Sequence, residues 1–199
     1  MENNKESSPK ELSPKLKKEI EKIIKDLGLR VTLEQFPPDK HTYNWASISA
    51  YGRLSEEFIR EFEDYILKGH LIKCQDLSEE LLEYLLVKYD SFIDWDDVPY
   101  YQKMSERLIE RFQSKMNWIY VSTYQKLSKE FILKHQNKIC WGCVIENQNL
   151  PADFILEFAP KMGEKECNNK CESICLPYKT FNRIVELAKK SKKPKKNKR

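Results

Sequence analysis

Glycine and histidine are scarce in this chain: five glycines and three histidines among 199 residues. So little glycine beside a charged fraction of 33% suits helices and argues against a turn-rich β sandwich. With only His41, His70 and His135 to draw on, no Ser/His/acid arrangement is plausible. HExxH and a phosphate-cradling glycine loop are also missing. Long hydrophobic runs are absent, none approaching the roughly 18 apolar residues that span a bilayer, and the polar N-terminus does not read as a secretory signal. The densest carboxylates, Asp94, Asp96 and Asp97, read as helix caps and first-turn acids rather than as a magnesium or acid–base site. These absences set the expectation of a soluble, intracellular, non-enzymatic chain with one sizeable core and no membrane contact.

What the chain does have is a beat. Trp95, Trp118 and Trp141 are 23 residues apart, and Trp45 sits in the same surroundings. Leu54, Leu77, Met104, Leu127 and Leu150 keep the same period, with one step of 27 from Leu77 to Met104 that reads as a four-residue insertion. The second copy has Leu67-Lys68-Gly69-His70 where its tryptophan pair should be. A period of this size points to stacked supersecondary units that cannot bury their apolar faces alone.

The spacing predicts a mainly α fold, a small α-solenoid of about five 23-residue helix-turn-helix units with N- and C-terminal capping helices. Each unit is expected to hold a brief helix, a tight turn and a longer helix. Asn44, Asp94 and Asn117 would cap the first helix, which would carry Trp, Ile/Val and Tyr (51, 101 or 124) inward. Ser55, Ser78, Ser105 and Ser128 would cap the second. Its buried face would follow Leu108, Ile109, Phe112 and Met116. The expected repeat core is Trp45, Trp95, Trp118, Trp141, Phe58, Phe62, Leu108, Phe112, Phe131, Phe154 and Phe158. At repeat spacing, tryptophans read as packing between units rather than as an exposed stacking ladder.

Composition along the chain predicts five segments. Residues 1–12 are a disordered N-terminus. Residues 13–41 hold a capping helix, bounded by Ser13, Pro14 and Gly28, and a strand or extended connector over Leu29–Phe36. Residues 42–162 are the repeat domain. Residues 163–188 are a cysteine-rich segment and a C-terminal capping helix, and 189–199 are a basic tail.

Two features stand outside the repeat. Cys140 and Cys143 form a CxxC, and Cys167, Cys171 and Cys175 follow at four-residue intervals. Structural zinc and disulfides both fit such spacing. So does a plain helical period with free thiols, which is the expected outcome; no cofactor is expected, with structural zinc as the alternative. His135 occupies a slot held elsewhere by Phe62, Phe112 and Phe158, as a packed core histidine would. The tail, with Lys189, Lys190, Lys192, Lys193, Lys195, Lys196, Lys198 and Arg199 and no acid, leaves the rest of the chain at −4 (4 − 8). It suits non-specific phosphate binding, a nuclear address, or simple solvation.

The phrases Tyr124-Gln125-Lys126-Leu127-Ser128-Lys129-Glu130-Phe131-Ile132 and Tyr101-Gln102-Lys103-Met104-Ser105-Glu106-Arg107-Leu108-Ile109, following Asn117-Trp118 and Asp94-Trp95, resemble a short repeat of large nucleocytoplasmic DNA viruses such as mimivirus-like and marseillevirus-like viruses. The resemblance covers about residues 42–162. It implies a viral origin, located in host cytoplasm or virion, or in the nucleus through the tail, and carries no catalytic residues. The resulting expectation is a scaffold for a host or viral protein partner, a virion or minor capsid component. A nucleic-acid-associated protein using the tail, or a zinc/thiol module, are the alternatives.

Overall fold

The computed structural model describes residues 12–37, 44–148, 150–157 and 186–187. Over these residues the chain is mainly helical and repeat-like, with no strand. It forms two compact units that divide between Ile93 and Asp94.

The first unit opens with α1, Pro14–Leu27. Ser13 Oγ accepts from the Leu16 N–H at 3.1 Å, and Pro14 occupies a first-turn position whose N–H would have no helical partner. Gly28 ends the helix at φ 60°, a left-handed conformation that glycine adopts without a Cβ penalty. The Leu29–Phe36 connector forms a 3-10 turn, Leu33–Gln35, instead of a strand. Gln35 Oε1 accepts from the Thr32 N–H there, a local bond that competes with strand pairing.

Four helices follow: α2 (Asn44–Ser49), α3 (Glu56–Glu61), α4 (Lys68–Cys74) and α5 (Glu79–Lys88). Helix α1 packs on α2, and α2 on α4. Their core gathers Phe36, Trp45, Phe58 and Phe62, with Phe36 edge-on to Phe62 at 5.1 Å. Ile48, Ile59, Leu71, Leu81 and Leu85 close around them. Each such side chain contributes about 1.5–3 kcal/mol by leaving water.

The second unit contains α6 (Asp97–Tyr101), α7 (Glu106–Arg111), α8 (Trp118–Tyr124), α9 (Lys129–Lys134) and α10 (Trp141–Asn147), followed by helical residues 152–157. Helix α8 lies against both α6 and α10. Ser55, Ser78, Ser105 and Ser128 cap α3, α5, α7 and α9, each Oγ accepting from the N–H three residues on.

The helix lengths differ from expectation. Helices α3, α7 and α9 have six residues each, no longer than α2 with six or α8 with seven. The reason lies at Phe62, Phe112 and His135, where φ near −105° to −109° and ψ near 20° turn the chain out of the helix. Ile66, Met116 and Ile139 therefore reach the core from the turn that follows, not from a continued helical face. Among these serine-capped helices α5 alone is long, at ten residues, and a 3-10 turn at Asp90–Phe92 follows it. The four-residue insertion is absorbed there. Residues 158–185 and 188–199, with Phe158, Cys167, Cys171, Cys175 and the basic tail, lie outside the described residues.

Candidate interaction surface

Three glutamines tie successive helix pairs together within the units. Gln75 Oε1 accepts from the Leu54 N–H at 2.9 Å, while its Nε2 donates to the Ser49 and Tyr51 carbonyls. Gln125 repeats this, accepting from Met104 N–H at 2.9 Å and donating to the Pro99 and Gln102 carbonyls at 2.6 and 2.8 Å. Gln148 accepts from Leu127 N–H and donates to the Gln125 carbonyl at 2.6 Å. Gln75 and Gln125 are each 4% exposed, so their amides satisfy backbone groups that water barely reaches, while Gln148 is half-buried.

A second set of bonds repeats beside them. Ser49 Oγ donates to the Trp45 carbonyl and accepts from the Leu67 N–H, and Ser122 Oγ likewise joins Trp118 to the Cys140 N–H. Two of the capping serines are themselves held by glutamates: Glu19 accepts from the N–H and Oγ of Ser55, and Glu106 from those of Ser128. Side chains thus fix the spacing between neighbouring helix pairs through backbone groups, leaving the outer positions of the short helices free to vary.

In the second unit those outer positions are tyrosines. Tyr100, Tyr101 and Tyr124 are 46, 47 and 45% exposed. Tyr100 meets Tyr101 and Tyr124 edge-to-face with centroids 4.5 Å apart in each pair, and Tyr120 lies 6.0 Å from both Tyr100 and Tyr124. Burial first, and the adjacent Tyr100 hydroxyl after it, push the Tyr124 phenol above its ordinary value, so that phenol is uncharged at neutral pH. An open cleft of about 620 Å³ adjoins it, lined by Asp96, Lys115, Met116, Asn117, Trp118, Ile119 and Tyr120.

The expectation that Tyr101 and Tyr124 point inward is corrected. Six helical residues turn through about 600°, leaving a side chain roughly 120° from the tryptophan that starts the helix, whereas seven residues return it to within about 20°. The residue that follows the tryptophan and valine inward is therefore glutamine. In the first unit Tyr51 is half-buried, and its hydroxyl donates to Asp26.

The tryptophans divide into two kinds. Trp45 and Trp141 are buried, at 2 and 6% exposure. Trp95 and Trp118 are half-buried, with Lys115 and Lys138 over their rings at 5.1 and 5.3 Å. The Trp118 indole N–H donates to the Gln113 carbonyl at 3.1 Å. Phe58, Phe62, Leu108, Phe131 and Phe154 are buried, while Phe112 is half-buried against Trp95. Asn117 caps α8 through the Ile119 N–H, and Asp94 accepts from the Asp96 N–H.

His135 is buried between Phe131 and Trp118, its Nε2 3.3 Å from Glu110 Oε1. The Lys134 ammonium, and then His135, hold the Glu110 carboxyl below the usual range. Cys140 and Cys143 are buried at the start of α10, and Cys74 is exposed. Among the described residues no group of three or more His, Cys, Asp or Glu could hold a metal ion, and no helix is long and apolar enough to cross a membrane.

Sequence reading passed over the glutamines, although the signal was there: Gln75, Gln102, Gln125 and Gln148 step by 27, 23 and 23 residues, on the same beat as the leucines. No protein-family model, curated protein or solved structure matches the chain.

Proposed function

We propose that this chain is a non-enzymatic repeat scaffold whose second unit binds a protein partner through the tyrosine face of its short helices. The observation that carries the reading is the cluster of Tyr100, Tyr101, Tyr120 and Tyr124, three of them close to half exposed on a framework keyed by buried glutamines. Tyrosine offers a large amphipathic contact at small entropic cost and is enriched where proteins meet. The helix pairs are read as turns of a small α-solenoid of about five units, a form in which unit-to-unit variation on one face sets specificity. The repeat phrases favour a viral setting, with the partner a host factor or a virion or minor capsid protein.

The test pairs affinity purification from infected cells, and mass spectrometry of purified virions, with reconstitution of the purified partner. Replacing Tyr100 and Tyr124 by Ala should weaken that partner by at least about tenfold, the loss typical of interface anchors. Undiminished binding by a folded double variant would overturn the reading. The second reading, nucleic-acid association, rests on the eight cations of residues 189–199. It requires binding that falls steeply with salt and disappears when those residues are removed.

A further inference from the structure

The start of α10 carries two cysteines where α8 carries other chemistry. Cys140 takes the cap position that Asn117 holds before α8, and Cys143, the third helical residue, takes the place of Tyr120. Backbone bonds fix both cysteines. The Cys140 N–H donates to Ser122 Oγ at 3.0 Å, and its carbonyl accepts from the Val144 N–H at 3.0 Å. The Cys143 carbonyl accepts from Asn147 Nδ2 at 2.8 Å. The bond from Val144 to Cys140 closes one helical turn over the pair, which sets their Cα atoms about 5 Å apart. Disulfides form across roughly 4.4–6.8 Å between Cα atoms.

Cap geometry supplies direction as well as distance. Asn117, at φ −77° and ψ 106°, folds its side chain over the first turn of α8 to accept from the Ile119 N–H. Cys140 has nearly the same backbone, φ −80° and ψ 100°, so its sulfur can take the same course over the first turn of α10 towards Cys143. The capping serines also reach the residue three positions on, Ser128 Oγ lying 3.1 Å from the Phe131 nitrogen.

We propose that Cys140 and Cys143 form a dithiol site, which a low-molecular-weight disulfide of the glutathione kind converts to a disulfide within the first turn of α10. Cys140 is 8% exposed and Cys143 fully buried, so Cys140 is the attacking thiol, reached through local opening. Its sulfur bonds to one sulfur of the reagent and expels the other as a thiol. Cys143 then attacks the Cys140 sulfur and expels the second reagent thiol. Two electrons pass from the cysteines to the reagent, and the two cysteine protons leave on the two released thiols. The change is felt at Tyr124: burial first, then Tyr100 and Tyr120, and after them the Cys143 sulfur raise that phenol. The site goes beyond the proposed function and does not depend on it.

Redox titration of the full chain tests it. Reduced protein, with chelator present to exclude metal, is equilibrated in glutathione buffers of graded ratio, alkylated and mapped by mass spectrometry. A Cys140–Cys143 disulfide should form, with a midpoint independent of protein concentration. The helical turn presents the two sulfurs to each other, so the folded pair should oxidise in a buffer at least about tenfold less oxidising than the same pair in urea needs. Oxidation should also shift the ring resonance of Tyr124. Cys143→Ala, which leaves no thiol to complete the exchange, should stop at a glutathione adduct on Cys140. The wild-type titration needs no variant, so it decides the matter even if Cys143→Ala fails to fold. No disulfide in the most oxidising buffer would overturn the inference. So would a bond from either cysteine to Cys74, Cys167, Cys171 or Cys175 in place of this one, or a midpoint no different from that in urea.

Discussion

Gln148 donates from its side-chain amide to the main-chain carbonyl of Gln125 at 2.6 Å, the same donation that Gln125 makes to Gln102 at 2.8 Å. One residue type is thus both a strut and an anchor point for the next strut. Its contribution is measurable at Gln125, whose amide satisfies three buried backbone groups. Gln125→Ala would strand the Met104 N–H and the Pro99 and Gln102 carbonyls, and should cost about 2–4 kcal/mol in urea denaturation. Gln125→Glu should be at least as damaging at neutral pH, since a carboxylate has no proton to give the two carbonyls. A loss below about 0.5 kcal/mol, the noise of surface substitutions, would show that the ladder does not couple the helix pairs.

Adjacent residues on α8 give a sharper contrast. Ser122 is fully buried and joins the Trp118 carbonyl to the Cys140 N–H, whereas Thr123 is half-buried and only bonds back to the Ile119 carbonyl of its own helix. Ser122→Ala should cost about 1–2 kcal/mol because it orphans a buried N–H. Thr123→Ala should change stability by less than about 0.5 kcal/mol, as alanine's better helix propensity offsets the lost intrahelical bond. Equal losses in thermal denaturation would mean that α8 and α10 are not joined through Ser122.

The helices themselves were legible. Serine before each apolar pair marked the starts of α3, α5, α7 and α9, and Ser13, Pro14 and Gly28 bounded α1, because caps are local chemistry. The ends of α3, α7 and α9 were not. Phe62, Phe112 and His135 leave the helix without a glycine or proline to announce it, and the following turn still delivers an apolar residue at i+8, so an irregular turn imitates a helical face. The inward position in the short helices was misread by one residue for a related reason. A buried glutamine looks polar in sequence, and its partners lie 21 to 26 residues away, where no local pattern can reveal them. The exposed tyrosines followed from that shift, since an aromatic residue beside a core position reads as core until the register is known.

Acid should weaken the first unit through Glu63. Burial raises this carboxyl's pKa, but Lys88, Tyr84 and Lys68 together outweigh burial and hold it below the usual range. A carboxylate with a lowered folded pKa stabilises the protein above its unfolded value of about 4.3, and that stabilisation is lost as pH falls through the folded pKa. Lys88→Met should therefore lower stability at pH 7 and reduce the further loss between pH 7 and acid. The measurement is the urea midpoint of both proteins at neutral and acid pH. Parallel pH dependence for wild type and variant would show that Lys88 does not set the Glu63 carboxyl.

Thiol reactivity separates packing from metal binding at the start of α10. Cys74 is exposed, Cys140 is 8% exposed and Cys143 fully buried, so labelling by a small alkylating reagent should modify Cys74 first and Cys143 last. Reaction of a buried thiol requires local opening, which should slow Cys143 relative to Cys74 by about 100-fold or more at an opening cost of roughly 3 kcal/mol. Ser122→Ala removes the hydroxyl that fixes the Cys140 N–H and should speed labelling of Cys140 and Cys143 while leaving Cys74 unchanged. Chelator then distinguishes the sources of protection. Packing alone predicts the same slow rates with and without chelator, because no metal is being removed. A zinc site would instead release the protected thiols on chelation, with metal recovered in stoichiometric amount from protein purified without chelator. Rapid labelling of Cys143 in folded protein under both conditions would contradict the docking of α10 against α8.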